Sequence, residues 1–170
     1  MNNLSFHITD VMTNSIRAKA SEIGLFIEER DLRITIRIAD NGLGMDAGTI
    51  ARVTNPFYTT RTTRKVGLGI PFLIQNAEQT GGAVSITSQP GKGTVVTASF
   101  CSNHIDCPPW GDLPGTVAML ITGNPDINIC FEYQAVKTVF SISTSEIKEI
   151  LDGIPLSYPK VMLLVKEMIK

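Results

Sequence analysis

The sequence predicts an α/β fold in which strands and helices alternate along the chain. Two hydrophobic periods and one polar loop carry that expectation. Arg33-Ile34-Thr35-Ile36-Arg37-Ile38 alternates strictly, which sets its isoleucines on one face of a strand. Residues Leu4 to about Ser21 repeat with helical spacing instead, with Leu4, Ile8, Val11, Met12, Ser15 and Ala18 on one side. The loop is Asp40-Asn41-Gly42-Leu43-Gly44-Met45. Counting by twos places Asp40 on the isoleucine side, where an unpaired carboxylate is costly to bury. A charge there implies a waiting partner, such as the amino group of a base. The two glycines allow positive φ and close approach of a ligand to the backbone. Asn-Gly is also a strong hairpin signal. Residues 46–53, however, are patterned as a short helix and not as a second alternating strand.

A chain of 170 residues holds one domain with a sizeable core, or a domain plus an appendage. Its 43% apolar and 18% charged content is ordinary for a soluble globular protein. The net charge of −1 offers no electrostatic case for nucleic acid or an anionic membrane as partner. No apolar run approaches the ~20 residues that span a bilayer, and the polar start Met1-Asn2-Asn3 lacks the basic opening of a signal peptide. A cytoplasmic location is the expectation. Cys101, Cys107 and Cys130 form no CxxC pair, so neither a disulfide framework nor a zinc knuckle is expected. His104 and Cys107 lack a second ligand pair at usable spacing.

On the first helix Asp10, Asn14 and Arg17 stand at i, i+4 and i+7, nearly opposite the apolar side. As a solvated face with a helical ion pair, this column needs no further role. It also has the parts of a Mg-nucleotide site: a neutral oxygen for a hard cation on Asn14, a charge for phosphate on Arg17, and a proton acceptor on Asp10. Strands at 23–28 and 32–39 follow, joined by the polar turn Glu29-Arg30-Asp31. After the short helix, residues 54–65 read as a polar, basic loop whose length of about 12 suits a lid. Its Arg61, Arg64 and Lys65 are suited to holding phosphate. Val66-Gly67-Leu68-Gly69-Ile70 then opens an apolar helix, Pro71 to about Gln79, whose free N–H groups and dipole favour an anion.

Ala83 to Ser88 and Thr94 to Phe100 are read as strands around the turn Pro90-Gly91-Lys92-Gly93. Residues 104–112 form a linker or structured turn with Trp110 as an exposed aromatic marking a docking surface. A helix over Leu113–Thr122 and a hairpin of Asn128–Gln134 with Val136–Ser143 come next. A helix start near Thr144 is capped by Thr144 or Ser143. The last helix, Lys160–Lys170, places Val161, Leu164, Val165 and Met168 on one side.

The ordered set of Asn14 on a helix, Asp40-x-Gly42-x-Gly44-Met45, Pro56-Phe57-Tyr58-Thr59-Thr60 and Gly67-Leu68-Gly69 resembles the GHKL ATP-binding fold. DNA gyrase, heat-shock chaperones, sensor histidine kinases, anti-sigma serine kinases and MutL share that fold. The resemblance covers roughly residues 4 to 100. It implies an α/β two-layer sandwich, the Bergerat fold, with a mixed and mostly antiparallel sheet. ATP would lie between the helical layer and a mobile lid. Residues 1–102 would be the ATP-binding domain and 103–170 a small α/β extension of unknown role. The resemblance further implies that Asp40 receives the adenine amino group, that Gly42 and Gly44 line the base, and that Met45 packs nearby. Asn14 would hold Mg²⁺, Arg17 and Lys65 would neutralise phosphate, and Thr60, in the lid, would be a further nucleotide-binding residue. Gly67, Leu68 and Gly69 would meet the phosphates.

Two departures shape the functional expectation. Asp10 stands where gyrase-like, MutL-like and anti-sigma members carry a glutamate base, and it is one methylene shorter. Arg17 stands where many sensor kinases carry a phosphate-binding lysine. Only six residues precede His7, so autophosphorylation on an upstream histidine is not expected, and His7 is read as a packing residue. The roughly 70 residues after the ATP fold are too few for a gyrase-type transducer. The leading expectation is a Mg-ATP-binding signalling protein that phosphorylates or regulates a separate protein in trans. A non-catalytic ATP sensor and a simple ATPase are the alternatives, and a homodimer is left open.

Overall fold

The alternation that begins at Arg33 forms the centre of a single sheet. The structure, a computed structural model, describes residues 3–55 and 69–169. In chain order it contains α1 (Leu4–Arg17), β1 (Glu22–Arg30), β2 (Arg33–Asp40), α2 (Ala47–Thr54), α3 (Gly69–Gln79), β3 (Val84–Gln89), β4 (Gly93–Cys101), α4 (Leu113–Gly123), β5 (Asn128–Gln134), β6 (Val139–Ser143), α5 (Thr144–Leu151) and α6 (Pro159–Ile169). The strands form one six-stranded sheet in the order β3-β4-β2-β1-β5-β6. Every neighbouring pair is antiparallel except β1 and β5, which run parallel. This is the α/β fold that the sequence predicts.

The register explains where the core lies. Ile86, Val96, Ile38, Leu25, Phe131 and Ile142 are successive partners across all six strands. All but the half-buried Ile86 are buried, so this row is a continuous apolar band on one face. Side chains of opposite parity, such as Arg37 and Glu132, are exposed. On that open face the Arg37 guanidinium lies 4.4 Å above the Phe26 ring, its partner in the register. One step of two residues along the strands brings the next row on the core face, Ser88, Thr94, Asp40, Ile23 and Ile129. Three of these five are polar, and there the sheet ends in a site.

α1 begins at Asn3, whose side chain accepts from Phe6 N–H at 2.7 Å. It stops at Arg17, short of the expected Ser21. Lys19 takes φ 63° and Ala20 N–H reaches back to the Ser15 carbonyl at 3.3 Å, a Schellman-type ending. The breaker-rich run after β4 is a structured turn that crosses the start of α1. The Pro109 carbonyl accepts from Leu4 N–H at 2.8 Å, and the Trp110 carbonyl accepts from Ser5 N–H at 3.1 Å and Ser5 Oγ at 2.5 Å. Trp110 is therefore half-buried against the core and does not stand out as the exposed aromatic that its polar neighbours suggest.

Two further expectations are corrected in the C-terminal part. β6 starts at Val139 and not Val136, because Ala135 and Thr138 close a turn between them that leaves Val136 exposed. In α6, Val161 and Val165 face inward, whereas Leu164 is 44% exposed. Ser143 caps α5, with its hydroxyl accepting from Glu146 N–H at 3.2 Å. Among the described residues no helix is long and apolar enough to cross a membrane.

Candidate functional site

Asp40 is the last residue of β2, and α1 crosses the sheet beside it. Ser15 Oγ donates to Asp40 Oδ2 at 2.5 Å, and Gly42 N–H donates to Oδ1 at 2.8 Å. A carboxylate offers about four lone-pair sites, so two remain for another donor. They face a cavity of about 140 Å³, whose wall includes Val11, Asn14, Met45, Val53, Ile70 and Val96. An apolar cavity of that order accepts an aromatic ring. An apolar slot with one oriented carboxylate suits a flat heterocycle bearing an amino group.

Beside Asp40 on the sheet stands Thr94, its register partner, which also lines the cavity. Ser88 Oγ lies 2.8 Å from Thr94 Oγ1, donates to the Gly93 carbonyl at 2.8 Å and accepts from Met45 N–H at 2.8 Å. With its only proton on Gly93, Ser88 accepts from Thr94, and Thr94 then turns acceptor lone pairs to the cavity. The same hydroxyl fixes the backbone at Met45. Ser15, Ser88 and Thr94 were not among the residues singled out from the sequence. Ser15 did leave a signal, as a lone hydroxyl on an apolar helix face.

The glycines of the loop are explained largely by the protein itself. Gly44 has φ 74°, and a Cβ there would lie 1.9 Å from the Gln89 carbonyl oxygen. Gly42 is buried, and a Cβ on it would lie 2.7 Å from the Ala18 carbonyl oxygen. The loop is thus pressed against the end of α1 on one side and the β3–β4 turn on the other. Asn41 pins it to the start of β1 by accepting from Ser21 and Glu22 N–H groups at 2.9 and 3.0 Å. Asp46 caps α2, accepting from Thr49 N–H at 2.8 Å, a bond that holds its carboxyl below the usual range.

Along α1, Asn14 lines the cavity, and its amide makes no hydrogen bond among the described residues. Asp10 lies one turn nearer the start of α3. A Cβ on Gly69 would sit 3.3 Å from Asp10 Oδ2, so the first residue of α3 abuts the carboxylate. Burial pushes the Asp10 carboxyl up, and the nearby Arg17 guanidinium partly offsets this. A raised carboxyl is a stronger proton acceptor once ionised. Arg17 itself is exposed. Thr60, Lys65, Gly67 and Leu68, with Arg61 and Arg64, lie outside the described residues.

His7 locks α1 to α3. Asn76 Nδ2 donates to His7 Nε2 at 2.7 Å, which sets the proton of the neutral ring on Nδ1. The ring is buried, as the sequence reading expects, and burial lowers its pKa to about 4.

Residues 3–103 match the family described as histidine kinase-, DNA gyrase B-, and HSP90-like ATPase. The chain is 31% identical over 106 residues to the sensor histidine kinase YxdK of Bacillus subtilis, covering 57% of this chain and 32% of that protein. It is 35% identical over 93 residues to the sensor protein kinase FleS of Pseudomonas aeruginosa, covering 53% and 23%. A third similarity, 30% over 97 residues, is to sporulation kinase E of Bacillus subtilis, covering 55% and 13%. The chain thus spans a third or less of the length of these relatives. Its fold is similar to the crystal structure of the N-terminal domain of a DNA repair protein, with a TM-score of 0.62 and 17% identity, over 88% of this chain and 57% of that one.

Proposed function

The chain belongs to the histidine kinase-, DNA gyrase B- and HSP90-like ATPase family, and from that premise we propose that it binds Mg-ATP at the Asp40 cavity and acts on a separate protein in trans. The observation that carries this reading is the Asp40 carboxylate, oriented by Ser15 and Gly42 at the wall of an apolar cavity that Asn14 also lines. In this reading Asp40 accepts from the amino group of adenine, Thr94 presents an acceptor beside it, and Met45 and Gly44 bound the slot.

Toward the phosphates, Asn14 is the cation ligand and Arg17, with Lys65, neutralises charge. Among the described residues no three His, Cys, Asp or Glu side chains gather as a metal site. As a single ligand from the described residues Asn14 would suit Mg²⁺, a cation that is ordinarily held by few protein ligands besides waters and phosphate oxygens. Bound Mg²⁺ supplies positive charge to those oxygens. Asp10 accepts the proton of the attacking hydroxyl or water, a role supported by its raised pKa and its place against Gly69. Gly67, Leu68 and Gly69 contact the phosphates in this reading, and Thr60 is a further nucleotide contact. Residues 1–102 are the nucleotide-binding part and 103–170 a small α/β extension.

The test is to give the protein Mg²⁺ and γ-labelled ATP, alone and in a cell extract, and follow the label. Release of the label as inorganic phosphate, by transfer to water, or its appearance on a protein is expected, with ADP as the other product. Asp10→Asn should slow it by roughly 10²–10⁴-fold while ATP still binds. Label that stays on ATP in both settings, or turnover indifferent to Asp10→Asn, contradicts the catalytic reading.

A further inference from the structure

We propose that the cavity at the far end of the sheet from Asp40 is a second binding site, for a small organic cation: a protonated amine on a flat apolar body. The cavity has a volume of about 520 Å³, against about 140 Å³ at Asp40. Small-molecule pockets occupy roughly 300–1,000 Å³ and are mostly apolar with a few placed polar groups. Of its lining residues only Glu29 falls within the family match at 3–103, and the rest lie between Trp110 and Ile169. The extension therefore builds a cavity that the ATP-binding family does not account for.

Its walls are aromatic and soft. Trp110, Phe131, Phe140 and Met168 line it, with the two phenylalanine rings 6.1 Å apart and tilted by 57°. Into this apolar space comes one carboxylate. Tyr133 OH donates to Glu29 Oε2, while Oε1 accepts from none of the described residues and no described cation pairs with Glu29. The phenol is no substitute for a counter-charge. Burial, then the bond to Glu29, pushes its pKa up to about 12, so it stays a neutral donor.

These features select the ligand. A hydrocarbon would cover the carboxylate without pairing it, which is costly. An anion would be repelled. An ammonium group satisfies Oε1 with a charge-assisted hydrogen bond. The apolar body then fills the aromatic walls.

Trp110 is the only tryptophan of the chain, so its emission reports on this cavity directly. The full chain should be titrated with phenethylammonium, with phenethyl alcohol of the same shape, and with phenylacetate. A saturable change with the ammonium ion, at an affinity at least about tenfold above the alcohol and with no response to phenylacetate, is expected. Glu29→Gln should remove the advantage of the ammonium over the alcohol. If Glu29→Gln does not fold, Tyr133→Phe serves instead, since it leaves both carboxylate oxygens free and should keep or strengthen ammonium binding. Equal response to all three probes, no saturable response, an ammonium preference that survives Glu29→Gln, or its loss in a folded Tyr133→Phe protein would overturn the assignment.

Discussion

His7 Nδ1 is the buried side-chain nitrogen that finds no hydrogen-bond partner among the described residues. Its orphaned N–H is tolerated because Nε2 is held by Asn76 and the ring is needed to join α1 to α3. Charging the ring would leave a buried cation against apolar neighbours. Burial accordingly lowers its pKa to about 4 from the ordinary 6.5. Above about pH 6.5 both folded and unfolded chains carry the neutral ring, and its contribution to stability is complete. Between there and about pH 4 the unfolded chain takes up a proton that the folded chain refuses, so stability falls as the pH is lowered. The full loss is roughly 3 kcal/mol. Urea melts near pH 7 and about pH 5 should differ by about 2 kcal/mol from this group. His7→Gln, which can still meet Asn76, should remove most of that difference, and an unchanged pH dependence would contradict the assignment. Other residues show what a local pattern conveys. Asp40 stood out because a charge at an apolar position needs a partner. Ser15 supplies part of that partnership from another element, which no local pattern displays.

At the scale of elements, the site rests on a clamp. The loop after β2 and the turn between β3 and β4 interlock: Gly91 N–H donates to the Leu43 carbonyl at 2.6 Å, and Met45 N–H donates to Ser88 Oγ at 2.8 Å. Gly44 is the point of closest approach, with its absent Cβ 1.9 Å from the Gln89 oxygen. Gly91 provides the control, since it has φ 79° but nothing within 4 Å of a Cβ. Gly91→Ala meets backbone strain of about 1–3 kcal/mol alone, whereas Gly44→Ala meets that strain plus a backbone collision. Gly44→Ala should therefore melt lower than Gly91→Ala by at least ~2–4 °C, the shift that about 1 kcal/mol produces at this chain length. Equal melting temperatures would show that the clamp carries no load. The strands of this clamp were legible from their period of two and from the turn Pro90-Gly91-Lys92-Gly93. The pairing of β2 with β4 was not, because it joins Asp40 to Thr94 across two intervening helices and β3. Ser88 and Thr94 go unread for the same reason. Trp110 misled because breakers normally mark exposed chain, and here they bend the chain over the start of α1.

For the whole molecule, the sheet continues from the residues that match the ATPase family into those that follow them. β5 lies parallel to β1 and β6 completes the edge, so Leu25 has Ile38 on one side and Phe131 on the other. The structural likeness covers 88% of the chain, well beyond the family match at 3–103. The Asp40 cavity and the cavity at Glu29 thus lie at opposite ends of a shared sheet. Nucleotide binding at the first depends on a single charge, the Asp40 carboxylate. The most direct measurement is a calorimetric titration of ATP with Mg²⁺ into the full chain and into Asp40→Asn. Loss of a hydrogen bond to a charged group costs about 1.5–3 kcal/mol, so affinity should fall by roughly tenfold to a hundredfold or more. An Asp40→Asn protein that binds ATP as tightly as the parent would contradict the assignment.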